Sequence, residues 1–237
     1  MKKRIWELDA LRGLFVLCVV FIHLMYDLTD LYNLIDFEYT AVYLFVQSWG
    51  GVLFLLISGI CVTLGRHNVR RGLIVILCGF ICTGVTYGMY RFGMAGRSII
   101  IWFGVLHCLG SCMLLWFFFK RLPTWALALC SIPLIAVGLW LRGQRFEFRW
   151  LVPLGFLYRG FASSDYFPLL LNLGFFLAGA VLGRILYRKQ QTLLPMVNEG
   201  NGIVRFLSAC GRQSLWIYLL HQPILSGISM LLAMAKR

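Results

Sequence analysis

"LRGLFVLCVVFIHLMYD", residues 11–27, carries an arginine at its second position, then ten residues without a polar side chain, then a histidine and an aspartate. A run of this kind reads as a helix crossing a lipid bilayer, whose ~30 Å core takes about 20 apolar residues. Ionisable groups on such a helix cost about 2.5–3.5 kcal/mol each near the bilayer centre. Arg12, His23 and Asp27 must therefore face a cavity or partner helices, and they call for a chemical reason.

The whole chain makes the same statement about class. Hydrophobic residues are 60% of it, charged residues 13%, and mean hydropathy is +0.82. A soluble chain of 237 residues cannot bury that much apolar surface, so the excess faces lipid. The apolar runs lack the alternation of barrel strands. The expectation is an all-α, polytopic helical membrane protein: one bundle and one domain over residues 1–237. Seven spans are predicted, at about 10–28, 40–64, 72–90, 99–119, 123–141, 167–187 and 213–234.

A formal charge of +13 could point to nucleic acid, but the basic residues sit in short clusters between apolar runs. That placement is what membrane topology requires, and nucleic-acid binding is set aside. The N-terminal "KKR", "RHNVRR" (66–71), "KRLP" (120–123) and the gap from Arg184 to Arg212 are basic, whereas "DLTDLYNLIDFEYT" (27–40) holds four acids and no Lys or Arg. The positive-inside rule then predicts a multi-pass protein of the inner (cytoplasmic) cell membrane, with its N-terminus cytoplasmic and the acidic gap outside. The basic start resembles a signal peptide, but the helix after it is too long for a signal core and carries ionisable groups, so it reads as a retained first span.

Of eight cysteines, all but Cys210 lie in predicted spans, where they read as small apolar filler; no metal-ligand set is apparent. The longest external gap, about 142–166, contains the apolar piece "WLVPLGFLY", too short to cross, which is a candidate lid lying in the interface or dipping into the bundle. Gly84/Gly88 and Gly179/Gly183 predict close helix packing.

Geometry gathers the polar residues of the first span. At 100° per residue, Arg12 and His23 share nearly one face and lie roughly 16 Å apart along the axis. Asp27 follows His23 at i+4, within reach of its ring, and Asp9 precedes Arg12 at i−3. Structural readings exist for each: Asp9 and Arg12 as interface anchors, His23 as an interhelical hydrogen-bonder. Other spans add to the set. His107 stands mid-span between Gly104 and Gly110, His221 beside Gln222 and Pro223, Ser58 in "FLLISGICVTLGR", and Asn172 as a lone amide; Asp165 lies in the fifth gap. One buried histidine is commonly structural, whereas three in separate apolar spans point to an internal polar chamber. His67, in a basic gap, reads as solvated.

At these residues the sequence resembles the membrane acyltransferase 3 superfamily. "LDALRGLFVLCVVFIH" is similar to its first helix, in which ten residues separate an Arg from a His, as in Arg12 and His23. "FLLISG" resembles its second-helix pattern, "RHNVRR" stands where its cytoplasmic Arg pair falls, and "CGRQSLWIYLLHQPIL" resembles its terminal helix, with His221 at the histidine. The short length, "YDL", "FGVLHCLG" and "SSDYFPLLLNLGFFLAG" are closest to the bacterial branch related to heparan-alpha-glucosaminide N-acetyltransferase. Larger relatives have ten or more spans, which leaves a simpler acceptor site here or one completed by another subunit.

The resemblance implies acyl transfer, in this branch acetyl, from cytoplasmic acyl-CoA to a hydroxyl or amine of a carbohydrate or glycolipid-like acceptor. Acyl-CoA (acetyl-CoA) is then a co-substrate, with no permanently bound cofactor. Arg12, Arg66, Arg70 and Arg71 would hold its phosphates. His23 would be general base or transient acyl carrier, with Asp27 fixing its tautomer and His107 as a further catalytic group. Ser58, Asp165, Asn172 and His221 fall to acceptor binding or support. A homo-oligomer is left open. Two rival readings use the same residues: a small proton-coupled transporter, disfavoured by the absence of an inverted repeat, and a noncatalytic membrane subunit.

Overall fold

The computed structural model describes residues 4–235, which leaves Lys2 and Lys3 of the N-terminal "KKR" outside the described residues. Eight α-helices are described: α1 Trp6–Tyr26, α2 Ala41–Leu64, α3 Asn68–Arg91, α4 Val105–Phe119, α5 Thr124–Arg142, α6 Leu169–Leu186, α7 Gly202–Arg212 and α8 Ser214–Ala235. Six of them are long and apolar enough to cross a membrane, and α4, at 15 residues, is a shorter apolar helix. This is a polytopic helical membrane protein, as expected.

The predicted spans differ from these helices in two places. The fourth, expected from residue 99, is helical only from Val105, because Arg97–Ile99 form a 3-10 turn and Ile100 is extended. The Asp165 carboxylate accepts the Val105 backbone N–H at 3.1 Å, and so supplies the partner that starts α4. Inside the sixth gap lies α7, a helix too short and too polar to resemble a span.

The chain divides into two compact units, residues 1–54 with 190–237, and residues 55–189; α2 contributes a half to each. In the first unit, α1 is extended by a π-helical turn, Asp27–Leu31, closed by the Tyr32 N–H on the Asp27 carbonyl at 3.0 Å. A π turn of this kind rotates the residues it carries relative to the helix before it. Past it, the Tyr39 hydroxyl donates to Asp30, which raises the phenol above its ordinary value. α7 crosses α1 backbone to backbone: a Cβ on Gly13 would sit 1.9 Å from the Leu207 carbonyl oxygen, and one on Gly211 would sit 1.7 Å from that of Asp9. Buried Glu7 accepts from the Leu193 N–H at 2.8 Å and the Thr192 hydroxyl at 2.9 Å, which ties the chain ahead of α7 to the first turn of α1.

In the second unit, α3 and α4 close on each other at Gly72 and Gly110, and α5 and α6 at Gly138, where a Cβ would stand 2.5 Å from the Leu171 Cα. Of the two glycine pairs singled out by spacing, Gly179/Gly183 packs as expected, against the Leu56 and Ile60 carbonyls of α2. Gly84/Gly88 does not: nothing lies within 4 Å of a Cβ at either position, so that face of α3 is open. "WLVPLGFLY" forms a 3-10 turn, Val152–Leu154, with Val152 buried and accepting from the Tyr166 hydroxyl at 2.7 Å, while Trp150 stays 76% exposed.

Candidate functional site

In the first unit, His23 of α1 meets His221 of α8. The Nε2 of His221 lies 3.1 Å from the Nδ1 of His23, and the ring centroids are 4.9 Å apart. Two carbonyls decide the protons. The Nδ1 of His221 is 2.6 Å from the Tyr218 carbonyl oxygen, and the Nδ1 of His23 is 3.1 Å from that of Val19. A carbonyl oxygen only accepts, so both Nδ1 atoms carry hydrogen. Assigned in this way, His221 Nε2 accepts from His23 Nδ1–H, which is shared with Val19, and all three contacts are satisfied with both rings neutral. The Nε2 of His23 is left as a lone pair with no hydrogen-bond partner among the described residues.

Asp27 is fully buried, yet it is not the group that orients His23. The π turn directs it to α8, where its Oδ1 accepts from Gln222 Nε2 at 3.2 Å and its Oδ2 from the Ser226 hydroxyl at 3.1 Å. The i+4 spacing that placed Asp27 under His23 assumes an unbroken α-helix, and the helix changes pitch at this residue. Gln222 and Ser226, which sequence reasoning did not assign, stand at i and i+4 on α8 directly after His221; that spacing was the available signal. The other acceptor of Gln222, Oε1, is buried without a partner among the described residues.

One turn into α1, Arg12 donates to Asp9 at 2.7 Å as expected, and its Nε is buried without a partner among the described residues. Asp9 is itself buried, with Arg4 4.0 Å away.

The second unit holds the remaining candidates. His107 is buried three residues into α4; its Nδ1 accepts the Gly104 N–H at 3.3 Å. Its Nε2–H then faces the Thr83 hydroxyl at 3.4 Å, and that hydroxyl donates to the Ile101 carbonyl at 2.6 Å. Both ring nitrogens are thus engaged in holding the start of α4 to α3. Asp165 shares that task at Val105. Asn172 donates to the Pro168 carbonyl at 2.8 Å, and its Oδ1 is buried without a partner among the described residues. Ser58 is half-buried in α2.

Arg66, Arg70 and Arg71 are exposed around the start of α3. Arg66 and Arg70 line an open cleft of about 690 Å³ with Lys120, Trp116 and Arg184. Arg184 donates to the carbonyls of Leu122 and Lys120, which end α4. Asn68 turns its amide back to the Val62 carbonyl at 2.8 Å, closing α2. Lys120 and Arg184 were read from the sequence as topology signals; their sharing of one cleft with Arg66 and Arg70 needed the fold.

The fold and these residues define a class: a multi-pass helical membrane protein with histidine and carboxylate side chains held between its helices. The model of the family "Heparan-alpha-glucosaminide N-acetyltransferase, catalytic" matches residues 4–223, and the chain belongs to that family. By class it is a membrane acetyltransferase. No curated protein and no solved structure matches the chain.

Proposed function

We propose that this protein moves an acetyl group from acetyl-CoA to a hydroxyl or amine of a carbohydrate or glycolipid-like acceptor, with His23 as general base. The observation that carries the reading is the free Nε2 of His23, on a ring whose Nδ1–H is committed to Val19 and His221. Family membership supports the acetyl chemistry, and the resemblance of the Arg12–His23 helix supports the donor.

In the proposed step, His23 Nε2 takes the proton of the acceptor as its oxygen or nitrogen attacks the thioester carbonyl carbon. The C–S bond breaks, and the leaving thiolate takes the proton back from His23. The products are the acetylated acceptor and free coenzyme A, with His23 neutral again. The dipole of His221 supports the transient imidazolium through the same hydrogen bond. Of the candidate catalytic side chains, His23 is the one with a ring nitrogen left for substrate; we read His107 as positioning α4 and Asp27 as positioning α8.

The donor's phosphates would be held by Arg66, Arg70 and Arg71. Two cations in the first turn of α3 oppose its helix dipole, whereas an anion there is favoured by both the dipole and the arginines. The basic gaps and the N-terminus then lie in the cytoplasm, where acetyl-CoA resides.

Purified protein in lipid nanodiscs tests the proposal. His23→Ala should lower acetyl transfer by about 10²–10⁴-fold while melting temperature and acetyl-CoA binding stay near wild type. Near-normal transfer by well-folded His23→Ala protein would sink the assignment. A protein that neither binds nor hydrolyses acetyl-CoA would instead favour the transporter or noncatalytic reading.

A further inference from the structure

α7 carries three distinct faces, and the acetyltransferase reading uses none of them. Leu207, Ser208 and Gly211 turn toward α1: Leu207 meets Gly13, Gly211 is in backbone contact at Asp9, and the Ser208 hydroxyl donates to the Trp6 carbonyl at 3.4 Å. Ile203 and Phe206, one turn apart, are 71% and 59% exposed. Arg205 and Arg212, seven residues apart and so on one side of the helix, are both exposed. The arginines, Phe206 and Trp6 of α1 line an open cleft of about 490 Å³. Guanidinium groups only donate, so the cleft offers two forks of donors to an anionic acceptor.

We propose that this cleft binds the headgroup phosphate of one anionic phospholipid, with an acyl chain lying along Ile203 and Phe206. Three observations favour lipid over a free anion. α7 ends at Arg212 and the apolar span α8 begins at Ser214, so the cleft lies at the edge of a membrane-crossing segment. The exposed apolar face beside the arginines has no use for a small inorganic anion, but it matches a chain attached to the phosphate. Glu199 also lines the cleft; two arginines against one carboxylate suit the single charge of a phosphodiester better than the double charge of inorganic phosphate. The guanidinium fork suits phosphate oxygens in either case. This inference does not depend on the acetyltransferase reading.

Native mass spectrometry of the full chain, released from detergent after mixing with phosphatidylglycerol and phosphatidylcholine of equal chain length, provides the test. We expect one phosphatidylglycerol to be retained in preference to phosphatidylcholine, and Arg205→Gln/Arg212→Gln to lower its affinity by roughly 30-fold. An excess of inorganic phosphate should leave the adduct in place. Arg205→Lys/Arg212→Lys, which keeps the charge, should retain most of it. Lipid preference and phosphate competition are read on the unsubstituted protein, so the test stays decisive if the double glutamine variant fails to fold. Equal retention of the two lipids, an adduct unchanged by the glutamine variant, or displacement by inorganic phosphate would each overturn the proposal.

Discussion

In the proposed step, His221 acts through one lone pair. A general base needs its reacting nitrogen free and its other nitrogen fixed, a task more often given to a carboxylate than to a second imidazole. Here His221 can accept from His23 because its own Nδ1–H is held by the Tyr218 carbonyl. His221→Ala should therefore lower kcat by roughly a hundredfold, the lower end of what a positioned acid–base group contributes, with KM little changed. His221→Gln, whose amide oxygen can accept the same hydrogen bond, should recover much of the loss. A merely structural His221 predicts equal damage from both variants and a lower melting temperature in each. Asp27 works differently. Its carboxylate is fully buried and takes hydrogen bonds from Gln222 and Ser226, so Asp27→Asn replaces an acceptor by a group that also donates. We expect a loss of about 1.5–3 kcal/mol, read as a lower melting temperature in detergent. The sequence placed His23, Asp27 and His221 among the candidates from residue type and apolar context. Their pairing was hidden because it depends on a change of helical pitch at Asp27 and on which face of α8 meets α1 (neither has a signature in spacing).

At the scale of elements, the long apolar runs were legible because a soluble fold seldom needs about twenty apolar residues in succession. α7 was not. Its 11 residues, capped by the Asn201 side chain, place arginines at positions 205 and 212, and its seat on α1 at Gly13 and Gly211 needed the fold. The start of α4 was equally hidden, since its backbone donor is satisfied by Asp165, sixty residues further along the chain. The glycine contacts give a direct test of packing. Gly13→Val places a branched side chain against the Leu207 carbonyl and should cost roughly 1–3 kcal/mol of stability, as overpacking does. Gly84→Ala meets open space, so it should be neutral or slightly stabilising through helix propensity. A thermal-shift comparison of the two variants checks both. Equal melting temperatures for Gly13→Val and wild type would mean that α7 is free to leave α1.

For the molecule as a whole, the topology turns on α4. Its 15 residues span roughly 22 Å at 1.5 Å per residue, short of a ~30 Å hydrocarbon core. The non-helical stretch Ile100–Gly104, bent at Trp102 and extended at both ends, leads into it, and extended backbone advances about 3.3 Å per residue against about 1.5 Å in a helix, so length is available without more helix. Asp165, Ser163 and Ser164 meet the polar groups of that stretch: Ser164 donates to the Ile99 carbonyl at 2.6 Å and Ser163 to that of Ile100 at 2.9 Å. Satisfied backbone of this kind is tolerated near lipid, whereas bare extended chain is not. We therefore expect α4 to cross, which makes seven crossings with the six longer helices and keeps "RHNVRR", "KRLP" and the Arg184–Arg212 gap on one side, opposite the acidic gap 27–40. Single cysteines in a background cleared of the eight native ones test this against an impermeant maleimide in intact cells. Glu38→Cys and Trp150→Cys should label from outside, while Asn68→Cys and Asn198→Cys should label only after the membrane is opened. If α4 does not cross, Trp150→Cys and Asn198→Cys exchange sides while the other two keep theirs. Inversion of all four would overturn the orientation and remove Arg66, Arg70 and Arg71 from the face where acetyl-CoA is found.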